Sequence, residues 1–152
     1  GTSDVVIGLH VRHGDKVQEE APRIELDEYV KAVRESVKGG KRLKGVFLAT
    51  DSQAVVRELE QKLPDVVLLV NRRESRNSAI AFSLFKDTYS VNITQYAIDT
   101  ITNLLLLRDC DSFVGTFSSN FGRLGYELQI TKGDNRMVAP PISLDFPWYA
   151  DP

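Results

Sequence analysis

Short apolar runs alternate along this chain with longer segments of helical period. Strands are expected at 5–9, 46–49, 66–70 and 112–115, where Val, Ile, Leu and Phe crowd together without polar alternation. Helices are expected over 26–37, 54–63, 93–107 and 121–130, where apolar positions recur every three to four residues. This order predicts βα units around a mainly parallel sheet, an α/β fold in three layers. Unbroken apolar runs are those of strands covered on both faces. Gly39-Gly40 is placed to end the first helix, and Pro64 separates the second helix from the third strand. The stretch 71–90 is polar, lacks periodicity and carries Arg72, Arg73 and Arg76. It is the longest candidate loop, either a functional lid or a disordered segment. The tail 139–152 contains Pro140, Pro141 and Pro147 and is expected to be irregular, its aromatics covered by this domain or by an absent one. There is no internal repeat.

Composition narrows the picture. A chain of 152 residues fits a single domain, 1–152, with a substantial core, and 42% hydrophobic with 26% charged residues is ordinary for a globular protein. The formal net charge of -2, with acids and bases interspersed, argues against a nucleic-acid partner. No apolar run approaches the ~20 residues that span a bilayer. Gly1-Thr2-Ser3 lacks a signal-peptide pattern and reads as an artificial boundary. The lone Cys110 has no internal disulfide partner and reads as a buried, inert thiol. Asn92-Ile93-Thr94 is a glycosylation sequon, a weak signal because such triplets arise by chance.

Candidate chemistry concentrates after the first strand. His10-Val11-Arg12-His13-Gly14-Asp15-Lys16 packs four potentially charged side chains and a glycine against the end of an apolar run, at the carboxyl edge where open α/β sheets bind ligands. Arg12 offers a planar fork of donors that fits phosphate oxygens bidentately, and Lys16 adds a point charge to the same loop. The plainer reading pairs Arg12 with Asp15 or Glu19. His10 lies two residues earlier, on the same strand face as Arg12. Asp51 ends the second strand, where it can bind ribose, orient Arg12 or cap the next helix. Ser118 and Ser119 lie in a strand-to-helix turn, where a serine can cap the helix and free backbone N–H groups attract phosphate. Arg123 either supports the same anion or pairs with Glu127. Metal binding has little support. Asp109-Cys110-Asp111 has the D-x-D form, but it falls between a helix and the start of a strand, the wrong end of the sheet for a ligand.

Three ordered segments, His10 to Asp15, Leu48-Ala49-Thr50-Asp51 and Thr116-Phe117-Ser118-Ser119, resemble the H-x-R-x-x-D, L-A-T-D and T-F-S-S motifs of the α1,6-fucosyltransferases. The likeness is to both the core N-glycan and the nodulation-type enzymes, and more distantly to the protein O-fucosyltransferases. It covers roughly residues 4 to 130. The resemblance implies a Rossmann-like domain, the carboxyl-terminal, donor-binding half of a GT-B glycosyltransferase whose amino-terminal half is missing here. It implies an inverting transfer of fucose from GDP-fucose to a glycan or glycoprotein hydroxyl, with no metal or other cofactor. Arg12 would clamp the β-phosphate, Lys16 would assist, and His10 would hold the guanosine end. Ser119 matches a serine that contacts the β-phosphate. Glu20 matches the proposed catalytic glutamate, and Tyr29 matches a position in the catalytic domain that a core-facing helix residue would fill equally well.

Two positions depart from the pattern. His13 stands where core enzymes carry a second arginine, and Asn103 falls on the column of an aspartate near the guanine. An amide cannot offer a carboxylate's paired acceptors, which weakens the case for guanine, and Asp99, a turn earlier, is an alternative. The rival from another class is a non-catalytic nucleotide- or glycan-binding module with the same fold. A nicotinamide-dependent oxidoreductase lacks its G-x-G-x-x-G after the first strand. By the same resemblance the compartment is a Golgi-type lumen for a eukaryotic chain and the cytosol for a bacterial one.

Overall fold

A computed structural model describes residues 3–13, 24–74, 76, 93–132 and 139–146. Five strands, β1 (Asp4–Val11), β2 (Arg42–Thr50), β3 (Val67–Val70), β4 (Ser112–Gly115) and β5 (Ile142–Ser143), form one sheet in the order β3-β2-β1-β4-β5. Every described pairing is parallel. Among the described residues four helices cover it: α1 (Leu26–Glu35), α2 (Gln53–Lys62), α3 (Ile93–Asp109) and α4 (Asn120–Ile130). The α/β expectation therefore holds.

Alternation along the central strand builds both cores. Ile7, Leu9 and Val11 point into one, where they meet Leu26, Tyr29 and Val33 of α1 and Val55, Val56 and Leu59 of α2. Phe47 and Ala49 of β2 point to the other, against Leu107 of α3, Phe113 and Phe117. With both faces covered, β1, β2 and β4 bury apolar side chains at consecutive positions, which is why their runs lack polar alternation. Tyr29 is a core residue, 2% exposed. Burial raises its phenol pKa well above the usual value, and the negative charge of Asp145 adds to the shift.

The structure departs from the sequence expectations at three places. β3 is an edge strand, and Val67 and Leu69 stay exposed on one of its faces among the described residues. The tail expected to be irregular over 139–152 supplies a short strand, because Ile142 and Ser143 pair with Val114 and Gly115. α1 ends at Glu35, before the glycines. Gly39 and Gly40, at φ 69° and 73°, make the turn into β2 that only glycine adopts without strain.

One close approach fixes α4 against the sheet. A Cβ on Gly122 would lie 2.5 Å from the Thr116 carbonyl oxygen and 3.1 Å from Nδ1 of His10, so the first turn of α4 touches the backbone of the β4–α4 turn. Gly122→Ala should destabilise the domain by about 1 to 3 kcal/mol, the cost of overpacking, although alanine favours helix by about 1 kcal/mol. Guanidinium unfolding checks this; a variant as stable as the parent would contradict the contact.

Candidate functional site

A cleft of about 140 Å³ opens at the carboxyl ends of β1 and β2. His10 and Arg12 reach it from β1, Asp51 from the end of β2, Asn103 from α3, Phe121 from α4 and Glu74 from the loop after β3. β1 and β2 are locked in register up to Val11↔Thr50, so Arg12 and Asp51 emerge side by side.

His10 is buried beneath α4, its ring 4.9 Å from that of Phe121, and its Nδ1 has no hydrogen-bond partner. Burial pushes its imidazole pKa down to about 4, with the charge of Arg12 acting in the same direction, so the ring is neutral near pH 7. Arg12 is half-buried and forms no ion pair with any described carboxylate. Asp15 and Glu19, its alternative partners, lie outside the described residues, as do Lys16 and Glu20. Asp51 accepts the His13 amide at 3.2 Å, which holds the backbone just beyond Arg12. Capping α2 falls instead to Ser52, whose Oγ accepts from the Val55 amide. His13 turns toward α1: its Nε2 donates to the Ile24 carbonyl at 2.9 Å and its ring meets Tyr29 edge-on.

The serine turn is organised by a residue the sequence reading passed over. Asp145, just past β5, accepts the Phe117 amide at 2.7 Å, the Ser118 amide at 3.3 Å, the Ser143 hydroxyl at 2.9 Å and the Ser118 hydroxyl. The Phe117 and Ser118 amides, expected to be open to a phosphate, are thus already occupied. Burial pushes the Asp145 carboxyl up, but these hydrogen bonds prevail and hold it below the usual carboxylate range. Ser119 caps α4, its Oγ accepting the Gly122 amide at 3.5 Å. Neither serine lines the cleft. Arg123 donates to Asn120.

Asn103 is 2% exposed and donates from Nδ2 to Glu74 Oε2 at 2.8 Å. Glu74 was also missed, because 71–90 was read as one undivided loop. Its first residues form a turn in which the Arg73 amide donates to the Asn71 side chain and the Glu74 amide to the Asn71 carbonyl. An asparagine opening such a turn was the available signal. Burial raises the Glu74 pKa, opposed by Asn103 and Arg76 and reinforced by Asp99 and Asp51. Asp99 lies off the cleft and accepts from Asn71 and Gln95.

Asp109-Cys110-Asp111 sits at the opposite, amino end of the strands. Asp111 accepts the Val6 amide at 2.8 Å, and Asp109 pairs with Arg108 and Lys132. Burial pushes the Cys110 thiol up to about 12, with Asp111 and Asp109 adding to it, and the thiol donates to the Leu106 carbonyl. No group of three or more His, Cys, Asp or Glu suited to a metal ion occurs among the described residues.

The His10 environment has a consequence for stability. Between pH 6.5 and about 4 the unfolded chain takes up a proton at His10 that the folded chain refuses, so stability must fall as pH drops through that window. The full effect is on the order of 3 kcal/mol. Urea unfolding across this range should show a shallower pH slope for His10→Gln than for the parent, whereas identical slopes would contradict the buried neutral imidazole.

The family model for α-(1,6)-fucosyltransferase amino-terminal and catalytic domains matches residues 2–145. The α-(1,6)-fucosyltransferase of Drosophila melanogaster is 30% identical over 131 residues, 83% of this chain and 20% of its own length. That of Caenorhabditis elegans is 28% identical over 134 residues, 84% of this chain and 22% of its own. This chain therefore spans about a fifth of these relatives. Among solved structures, the NodZ α-1,6-fucosyltransferase co-crystallized with GDP superposes with a TM-score of 0.52 at 22% identity, covering 83% of this chain and 36% of that one. Fucosyltransferase NodZ from Bradyrhizobium gives 0.50 at 23% identity, over 84% and 36%. These structures share the fold. The match of the family model across nearly the whole chain shows that it belongs to the α-(1,6)-fucosyltransferase family.

Proposed function

We propose that this chain is the donor-binding half of a GT-B fucosyltransferase that transfers fucose from GDP-fucose to a glycan or glycoprotein hydroxyl, with inversion and without a metal. The acceptor half belongs to the rest of the longer protein. The observation that carries the reading is Arg12, a guanidinium at the carboxyl end of the central strand, in a cleft, with no described carboxylate to neutralise it.

In this mechanism the Arg12 fork binds two oxygens of the β-phosphate, and Lys16 adds charge. The acceptor oxygen attacks the anomeric carbon of fucose from the face opposite the diphosphate, giving inversion. As the bond to the β-phosphate oxygen breaks, its electron pair stays on GDP, and Arg12 stabilises the charge that grows there. Glu20 accepts the proton of the acceptor hydroxyl. Neutral His10 holds the guanosine end without adding repulsion to Arg12. Asp51 fixes the strand exit, and Ser119 sets the start of α4. Cations on the chain take the role that a divalent metal fills in D-x-D enzymes.

Calorimetric titration tests this directly. The 152-residue chain should bind GDP weakly, at about 0.1 to 1 mM, because half of the cleft is missing, and EDTA should not change the affinity. Arg12→Lys keeps the charge and loses the fork, so it should weaken GDP binding by roughly 1.5 to 3 kcal/mol. Unchanged affinity in a folded Arg12→Lys variant would remove the phosphate clamp, and loss of binding on chelation would reverse the metal-independent reading.

A further inference from the structure

The cleft that Arg12 lines also holds two acceptor groups with unused capacity, Asn103 and Glu74. Asn103 is nine-tenths buried and more, and its amide is half used: Nδ2 donates to Glu74, while Oδ1 is buried with no partner. Glu74 Oε2 receives that one hydrogen bond, and Arg76 Nη2 stands 3.6 Å away, beyond hydrogen-bond range. Oε1 has no hydrogen-bond partner among the described residues. A buried amide oxygen without a donor costs free energy, and beside it the partly buried Glu74 carboxylate keeps an oxygen free to accept from a ligand. Tyr96 and Phe121, on the same cleft, give it flat aromatic surface.

We infer that Glu74, held in place by Asn103, is the base-selecting residue of the cleft, and that the pair reads a nucleobase edge carrying two adjacent N–H donors. Of the common nucleobases only guanine presents a ring N–H beside an exocyclic amino group on one edge. A carboxylate accepts both at once, and the neighbouring amide oxygen can accept the second amino hydrogen. Adenine offers an amino group beside a ring acceptor, which would face the carboxylate's lone pairs. Uracil has a ring N–H flanked by carbonyls and meets the same repulsion. The carboxylate that Asn103 lacks is therefore supplied from a different element, the turn at 71–74, across 29 residues of sequence. This inference rests on the nucleotide-donor reading of the cleft and adds the source of its base preference.

Calorimetric titration with GDP, IDP and inorganic pyrophosphate separates the two claims. IDP keeps the ring N–H and lacks the exocyclic amino group, and pyrophosphate reports the Arg12 end alone. The parent chain should prefer GDP over IDP by about tenfold, the value of a hydrogen bond to a charged acceptor. Glu74→Gln should reduce that preference to about twofold or less, with pyrophosphate affinity unchanged. Combining Glu74→Gln with Asn103→Asp exchanges carboxylate and amide across the same hydrogen bond and should restore the preference. If the parent or Glu74→Gln binds GDP and pyrophosphate but the GDP to IDP ratio is the same in both, the assignment of Glu74 is wrong while the donor site stands. If the parent binds neither GDP nor pyrophosphate, the donor reading and this inference fall together.

Discussion

Hydrogen bonding of β1 on both sides is the constraint from which the site follows. Its residues Asp4 to Val11 pair with β2, and Ile7 to Leu9 pair with β4, so the strand can neither slip nor rotate. A one-residue slip would send Ile7, Leu9 and Val11 out of the core shared with α1 and α2. Burial of those three side chains thereby dictates that His10 and Arg12 face α3 and α4. The cleft is a by-product of packing, and the guanidinium reaches it because the apolar face lies on the other side.

The walls are fixed by contacts that converge from distant parts of the chain. Asp145 draws the β4–α4 turn onto the end of β5 through two backbone amides and two hydroxyls. Gly122 lets α4 descend onto that turn and close over His10. Asn103 ties the turn after β3 to α3. Each bond is short-range in space, and together they leave His10 Nδ1 and Asn103 Oδ1 buried and unpaired around one opening. Polar atoms of this kind are uncommon in folded proteins because each costs about 1 to 3 kcal/mol. Two of them on one cleft are a local instability that a ligand with matching groups would relieve.

The strands and helices were legible from apolar runs because β1, β2 and β4 are buried on both faces and the helices are long. β5 was not, since two residues after Pro140-Pro141 carry no period and are held only by their partner strand. Half-covered β3 reads like the buried strands in sequence because its exposed residues, Val67 and Leu69, are also apolar. At the site, the positions of His10, Arg12 and Asp51 followed from strand ends. Glu74 and Asp145 did not, because their roles arise from contacts across 29 and 28 residues that no local pattern records. Lys16 and Glu20 lie outside the described residues, so their place rests on the resemblance of the motif.

The central claim is that the carboxyl ends of β1 and β2, and not the D-x-D at the amino ends, bind the nucleotide diphosphate. Amide chemical shifts recorded by NMR during titration with GDP test it most directly. The account predicts perturbations clustered at Val11, Arg12, Asp51, Glu74 and Asn103, with Asp109 to Asp111 unmoved. Shifts centred on Asp109 to Asp111, or no cluster at the strand ends at saturating GDP, would contradict it.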